Sequence, residues 1–253
     1  MSKLPKEHKF IDLSDYGRIP ARILATSIKN TSLTPIHVTV SFIVSGIIGI
    51  ICILNNQFLA AGFFLILKSV LDAADGELAR IKKTPSYTGR YFDSVADILL
   101  NLLIFLAIWH ITDSNLFSCI LAFLGIQLQG TLYNYYYTIL RNRHNGDTTS
   151  RVFENEVPIA LPGEKQKHVN ILFGLYKILY GGFDKIIYRL DRSAAKSKNF
   201  PNWLMTLVST FGLGFQLLVI SIMLVSGFKD YIIPFFILYS VMIFVFIGIR
   251  KTL

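Results

Sequence analysis

Apolar residues gather in six long runs along this chain, around residues 36–54, 57–79, 90–111, 115–140, 203–227 and 231–249. Each comes close to the roughly 20 residues that a helix needs to cross a hydrocarbon core of about 30 Å. The pattern predicts an all-α integral membrane protein with six transmembrane helices. Thr34-Pro35 stands directly before the first run, and a proline in the first turn is a good helix start. Ahead of it, residues 11–31 mix Ile11, Leu13, Ile19, Ile23, Leu24 and Ile28 with basic residues. That mixture suits an amphipathic helix in the headgroup region, and equally a cytoplasmic arm.

The long connection after the fourth run opens as a polar, turn-rich loop from Arg141 and turns apolar and aromatic between His168 and Arg192. Lys177, Gly181, Gly182, Asp184 and Lys185 interrupt that stretch, so an interfacial helix is expected there. A seventh span would export Arg189, Arg192, Lys196 and Lys198 against the charge bias. The expected organisation is an N-terminal segment over 1–33 and a membrane domain over 34–253, with a loop and interfacial helix at 141–202. No internal repeat suggests a duplicated transporter.

Composition agrees with the pattern. The 253 residues are 53% hydrophobic and only 16% charged, with a mean hydropathy of +0.51. Lysines and arginines collect on one side: Lys3 to Lys29 before the first run, Arg80 to Arg90 between the second and third, eleven from Arg141 to Lys198, and Arg250 with Lys251 at the end. The opposite loops, near Asn55, Asp113 and Phe228, are short and hold only Lys229. The positive-inside rule therefore predicts both termini in the cytoplasm of a cell inner membrane. The net charge of +9 points to anionic headgroups and phosphate-bearing substrates, since no nucleic-acid-binding pattern accompanies it. Cys52 and Cys119 read as small buried hydrophobes. The first ten residues lack the features of a signal peptide, so the first span is expected to direct insertion.

Residues 72–97, DAADGELARIKKTPSYTGRYFDSVAD, set four aspartates into this apolar background. Ionisable groups at membrane depth are costly unless they pair, bind metal or line a wet cavity. At 100° per residue, Asp72, Asp75, Gly76 and Ala79 share one helix face, while Gly89, Asp93 and Asp97 step by four along a second helix. Two carboxylate-bearing faces can converge. All-oxygen ligands suit hard cations, so one or two Mg²⁺ or Mn²⁺ ions are expected. Lys68 lies one turn outward on the Asp72 face, as a partner for a carboxylate or as a snorkelling surface residue. Glu77 falls at an unconstrained position and is left out of the site. A carboxylate-lined ion pathway or an inactive scaffold is the alternative from another class.

Asp72, Asp75, Gly76, Ala79, Arg80, Gly89, Asp93 and Asp97 together follow D-x2-D-G-x2-A-R-x8-G-x3-D-x3-D. That order resembles the signature of the CDP-alcohol phosphotransferases, membrane enzymes of phospholipid synthesis. The resemblance implies that an acceptor hydroxyl attacks the β-phosphorus of a CDP-linked alcohol and displaces CMP. By the same resemblance Asp72, Asp75 and Asp93 would hold the metal, with Asp97 completing the cage and acting as general base. Gly76, Ala79 and Gly89 would admit the nucleotide, and Arg80 would meet a phosphate. CDP-diacylglycerol is the expected donor, with a small hydroxyl acceptor. The reverse arrangement, a CDP-linked head group given to diacylglycerol or another lipid alcohol, fits the same signature. A homodimer is implied as well.

Arg141, Arg143 and Arg151, at and beyond the end of the fourth run, are the candidates to bind a phosphate-bearing acceptor. Asn134 with Tyr133, Tyr135, Tyr136 and Tyr137 suits either a polar cavity or an interfacial aromatic belt.

Overall fold

Thr34 and His37 close a reciprocal capping box at the start of α2, Pro35–Leu54, with Pro35 in the first turn where its missing N–H costs nothing. This computed structural model describes residues 4, 9–143, 156–197 and 200–253. Before α2 lies α1, Arg18–Ile28. After it come α3, Phe58–Lys82; α4, Tyr87–His110; α5, Leu116–Arg143; and α6, Gln166–Leu190. The C-terminal part holds α7, Asn202–Val208; α8, Leu213–Val225; α9, Ile232–Tyr239; and α10, Met242–Thr252. Among the described residues there is no strand.

Among the described residues four units are long and apolar enough to cross a membrane: α2, α4, α5 and the stretch Lys229–Thr252 that contains α9 and α10. Residues Asn202–Phe211 and Leu213–Val225 form a fifth if taken together, bent by 55°. The bend falls at Gly212, where an added Cβ would lie 2.3 Å from the Cβ of Ser14. The N-terminal 3-10 turn Leu13–Asp15 is seated in this break, with Leu13 N–H donating to Ser209 Oγ at 2.9 Å. Only a residue without a side chain admits it that closely.

α3 is 25 residues long, about 37 Å, but Lys68, Asp72, Asp75, Glu77, Arg80 and Lys82 keep it out of the apolar set. It ends on Lys83 in a left-handed conformation, φ 55°, whose N–H bonds back to Ala79 and Arg80. Pro85 and the N-cap Ser86 follow, and α4 starts at once. Asp75 therefore stands seven residues before the end of α3 and Asp93 six after the start of α4, both roughly 10 Å from the turn. The nearest backbone neighbours of α3 are α2, α8 and α1, and those of α4 are α2, α6 and α5. The Lys68–Asp97 ion pair and a shared apolar cluster, which holds Ala61 and Leu65 of α3 with Ile104 and Ile108 of α4, join the two helices.

Polar bonds buried in the apolar layer fix the other helices. Gln216 on α8 donates to Gln129 on α5 at 3.1 Å, and Gln129 donates to Ser240 Oγ, just past α9, at 3.0 Å. At one end of the bundle Asp191, wholly buried, receives Arg250 Nε at 2.7 Å and Tyr136 OH at 2.6 Å. There too Tyr133 OH donates to Asp12 at 2.5 Å. α6 lies along the first half of α4, with Tyr91 against the rings of Phe173 and Tyr176. Cys52 and Cys119 are free and buried among apolar side chains.

Candidate metal centre between two helices

One carboxylate oxygen each from Asp72, Asp75 and Asp93 lies within 4.8 Å of the other two. Two belong to α3 and one to α4, so the short turn at 83–86 brings them level. Asp75 is buried, and Thr39 on α2 donates its hydroxyl to Asp75 Oδ2 at 2.6 Å. Asp93 Oδ1 is buried and has no hydrogen-bond partner among the described residues. A buried carboxylate oxygen without a donor costs free energy unless something cationic occupies its lone pairs. Three converging carboxylates with one such oxygen fit a hard divalent cation.

Asp97, one turn beyond Asp93, is held differently. Its Oδ1 accepts from Lys68 Nζ at 2.5 Å, and Lys68 is wholly buried with its ammonium 5.0 Å from the centre of the Phe42 ring. The two readings left open for Lys68 resolve to a carboxylate partner.

Arg80 forms an ion pair with Glu77 at 3.0 Å, while its Nε has no hydrogen-bond partner among the described residues. Glu77, left out of the site on sequence grounds, is buried and fixes this guanidinium. Gly76 and Ala79 are half-buried beside it. A Cβ on Gly76 would meet the Arg80 guanidinium at 3.6 Å, an ordinary contact distance. Gly89 is in the first turn of α4, its N–H donating to the Ser86 hydroxyl at 2.8 Å.

α6 and the segment before it close the site from the side of α4. Tyr180 OH donates to the carbonyl of Ser94, next to Asp93, at 2.9 Å. Glu164 accepts from Ser86 Oγ and Thr88 N–H, both at 2.7 Å, and from Leu161 N–H at 3.0 Å. Burial opposes the Glu164 charge, but these donors outweigh it and hold its carboxyl below the usual range.

Of the acceptor candidates, Arg141 and Arg143 lie in the last turn of α5. Arg141 is buried with its guanidinium 5.7 Å from the Tyr137 ring, and Arg143 is 5.7 Å from that of Phe200. Arg151 lies outside the described residues. Tyr133, Tyr135, Tyr136 and Tyr137 are all buried, so they form no lipid-facing belt. Three of them bind Asp12 or Asp191, while Asn134 is exposed.

Residues 32–176, more than half of the chain, match the family model for CDP-alcohol phosphatidyltransferase. The chain belongs to that family. A search of the curated proteins finds no match. Membership makes this CDP-alcohol phosphatidyltransferase a multi-pass membrane transferase of substituted phosphate groups, which moves a phospholipid head-group phosphate from a CDP-alcohol to an alcohol. Its family uses a divalent metal, and Asp72, Asp75 and Asp93 are the residues placed to hold one.

Proposed function

We propose that this CDP-alcohol phosphatidyltransferase takes CDP-diacylglycerol and a small hydroxyl acceptor, joins them through the β-phosphate and releases CMP at the cytoplasmic face. The observation that carries this reading is the convergence of Asp72, Asp75 and Asp93 from two helices beside the small residues Gly76 and Ala79. In the reaction an O–P bond forms from the acceptor oxygen to the β-phosphorus, and the bond from that phosphorus to the CMP oxygen breaks. The acceptor's proton must go to a base.

Asp72, Asp75 and Asp93 would hold Mg²⁺ or Mn²⁺, which when bound would neutralise the diphosphate charge as it shifts toward CMP. Asp97 is the base. Lys68 fixes one of its oxygens, which leaves the other to accept the proton. Arg80, steadied by Glu77, offers its guanidinium to a phosphate, and Gly76, Ala79 and Gly89 leave room for the nucleotide. A charged acceptor falls to Arg141 and Arg143.

We count α3 as a span together with a continuous α7–α8 and α9–α10, which makes six. Most of its charges have partners: Lys68 has Asp97, Arg80 has Glu77, Asp75 has Thr39, and Lys82 has the carbonyls of Thr31 and Leu33 at 2.8 and 2.6 Å, while Asp72 falls to the proposed metal. With the basic end inward, both termini and the aspartates face the cytoplasm. A homodimer is the expected assembly.

CMP release by the purified protein tests the reading. CDP-diacylglycerol is offered with inositol phosphate, inositol, glycerol phosphate, serine or choline, and CDP-choline or CDP-ethanolamine with diacylglycerol. One CDP-diacylglycerol pairing should give CMP only with Mg²⁺ or Mn²⁺, and none in Asp93→Asn. CMP from the CDP-choline or CDP-ethanolamine arm alone would reverse the lipid assignment. Silence from every pairing in protein that still binds metal would reject it.

A further inference from the structure

Lys68 lies outside the family signature, yet no side chain in the site is more completely buried. Its ammonium sits 2.5 Å from Asp97 Oδ1 and feels Asp97 most strongly, then Asp72 and Asp93. A lysine buried at membrane depth persists only where a fixed anion answers it. The four signature aspartates are thus unequally served. Asp72, Asp75 and Asp93 converge on one point, and the fourth already has a cation of its own.

We infer that Lys68 stands in for a second metal ion at Asp97, so that the aspartate layer takes one divalent cation, held by Asp72, Asp75 and Asp93. This rests on the metal-dependent reading proposed above. Ligand oxygens around a Mg²⁺ ion are at most about 4.2 Å apart, at twice its bond length. In an octahedral site of that bond length neighbouring ligand oxygens stand about 3.0 Å apart, so the three oxygens, all within 4.8 Å of one another, would draw together around one ion. A second ion would have to share Asp97 with an ammonium already at bonding distance. Two dications of a binuclear site stand about 3.5–4 Å apart. Here one of that pair would be pressed against a buried positive charge. Four carboxylates answered by one ammonium and one dication keep a single net negative charge, which the incoming acceptor proton can offset at Asp97.

Mn²⁺ titration of the purified, detergent-solubilised protein, by calorimetry and by electron paramagnetic resonance, tests the inference without reference to turnover. Wild type should bind one equivalent and give the six-line spectrum of an isolated ion. Lys68→Ala removes the ammonium and opens space at Asp97, and should bind a second equivalent with exchange-broadened lines. Asp97→Asn, which keeps the side-chain shape, should hold Mn²⁺ within about threefold of wild type, whereas Asp93→Asn should lose tenfold or more. Two equivalents in wild type, one in folded Lys68→Ala, or a tenfold loss in Asp97→Asn would each overturn the role of Lys68 and leave the metal centre standing. No Mn²⁺ bound by wild type would overturn the metal reading itself.

Discussion

Thr39 is the α2 residue that reaches the carboxylate cage, and Thr39→Val replaces by a methyl the hydroxyl that bonds Asp75 and also lies 3.1 Å from the Pro35 carbonyl. The side chain is 2% exposed and donates to Asp75 Oδ2 at 2.6 Å. Valine has the same shape, so no cavity opens and packing changes little. A hydrogen bond to an ionised group contributes about 1.5–3 kcal/mol. At about 1.4 kcal/mol per factor of ten, that is roughly ten- to a hundredfold in any equilibrium that needs Asp75 charged and aimed at its neighbours.

An opposing effect has to be weighed. The lost donor frees a lone pair that an ion could use. Asp75, however, is buried near Asp72, and a carboxylate without its orienting donor is both less readily charged and less well aimed. Loss of such orienting partners ordinarily weakens metal binding by about 10–100-fold, which agrees with the bond-energy figure. The Mn²⁺ dissociation constant of Thr39→Val, measured by calorimetry, should rise by that factor. Thr39→Ser keeps the hydroxyl and should stay within about threefold. Near-wild-type affinity in the valine variant would refute the claim that Thr39 sets the cage.

Other parts of the fold yield further expectations. Asp191→Ala strands the buried Arg250 and should cost about 3–5 kcal/mol, seen as a lower unfolding midpoint in detergent; Asp191→Leu with Arg250→Met should recover much of it. Gly212→Ala and Gly214→Ala should both dislodge residues 12–16 and speed amide exchange there, but Ser14→Gly should rescue only the first. The added Cβ at 212 meets the Ser14 side chain, whereas at 214 it falls 2.0 Å from the Ser14 carbonyl oxygen, which no side-chain change removes. The folded Glu164 carboxyl titrates below its ordinary value of 4.5, so it stabilises the fold above that value and the contribution disappears as pH falls through the lower, folded value. Amide exchange at Thr88 and Leu161 should therefore rise in that acid window in wild type, and should be raised and flat in Glu164→Gln.

What could be read from the residues alone was whatever depends on spacing along one helix. Thr34-Pro35 gave the start of α2 because a cap and a first-turn proline act locally. The period-four step of Gly89, Asp93 and Asp97 gave a shared stripe because helix geometry is fixed. The bend at Gly212 was invisible, since the residue seated against it, Ser14, lies nearly two hundred residues earlier. Tyrosines 133 and 136 were seen as a cluster, but their partners Asp12 and Asp191 lie 121 and 55 residues away. Thr39, Lys68 and Tyr180 were hidden or ambiguous for the same reason: each acts through a partner on another helix.

α3 joins these two kinds of legibility. Its charges are the clearest signature in the chain, and they are also why the helix fails a hydropathy test for a span. Hydropathy sums side chains as if each met lipid alone, so it charges α3 in full for Lys68, Asp75 and Arg80. The fold offsets those costs with Asp97, Thr39 and Glu77. Removing one offset should therefore do more than weaken the site. A variant such as Asp97→Ala, which leaves Lys68 buried without its anion, should destabilise the α3–α4 pairing as well as remove the proposed base. Asp97→Asn still offers Lys68 an acceptor oxygen, and should remove the base with less harm to the helices. Comparing the two in a thermal unfolding scan separates what this carboxylate does for the membrane fold from what it does for chemistry.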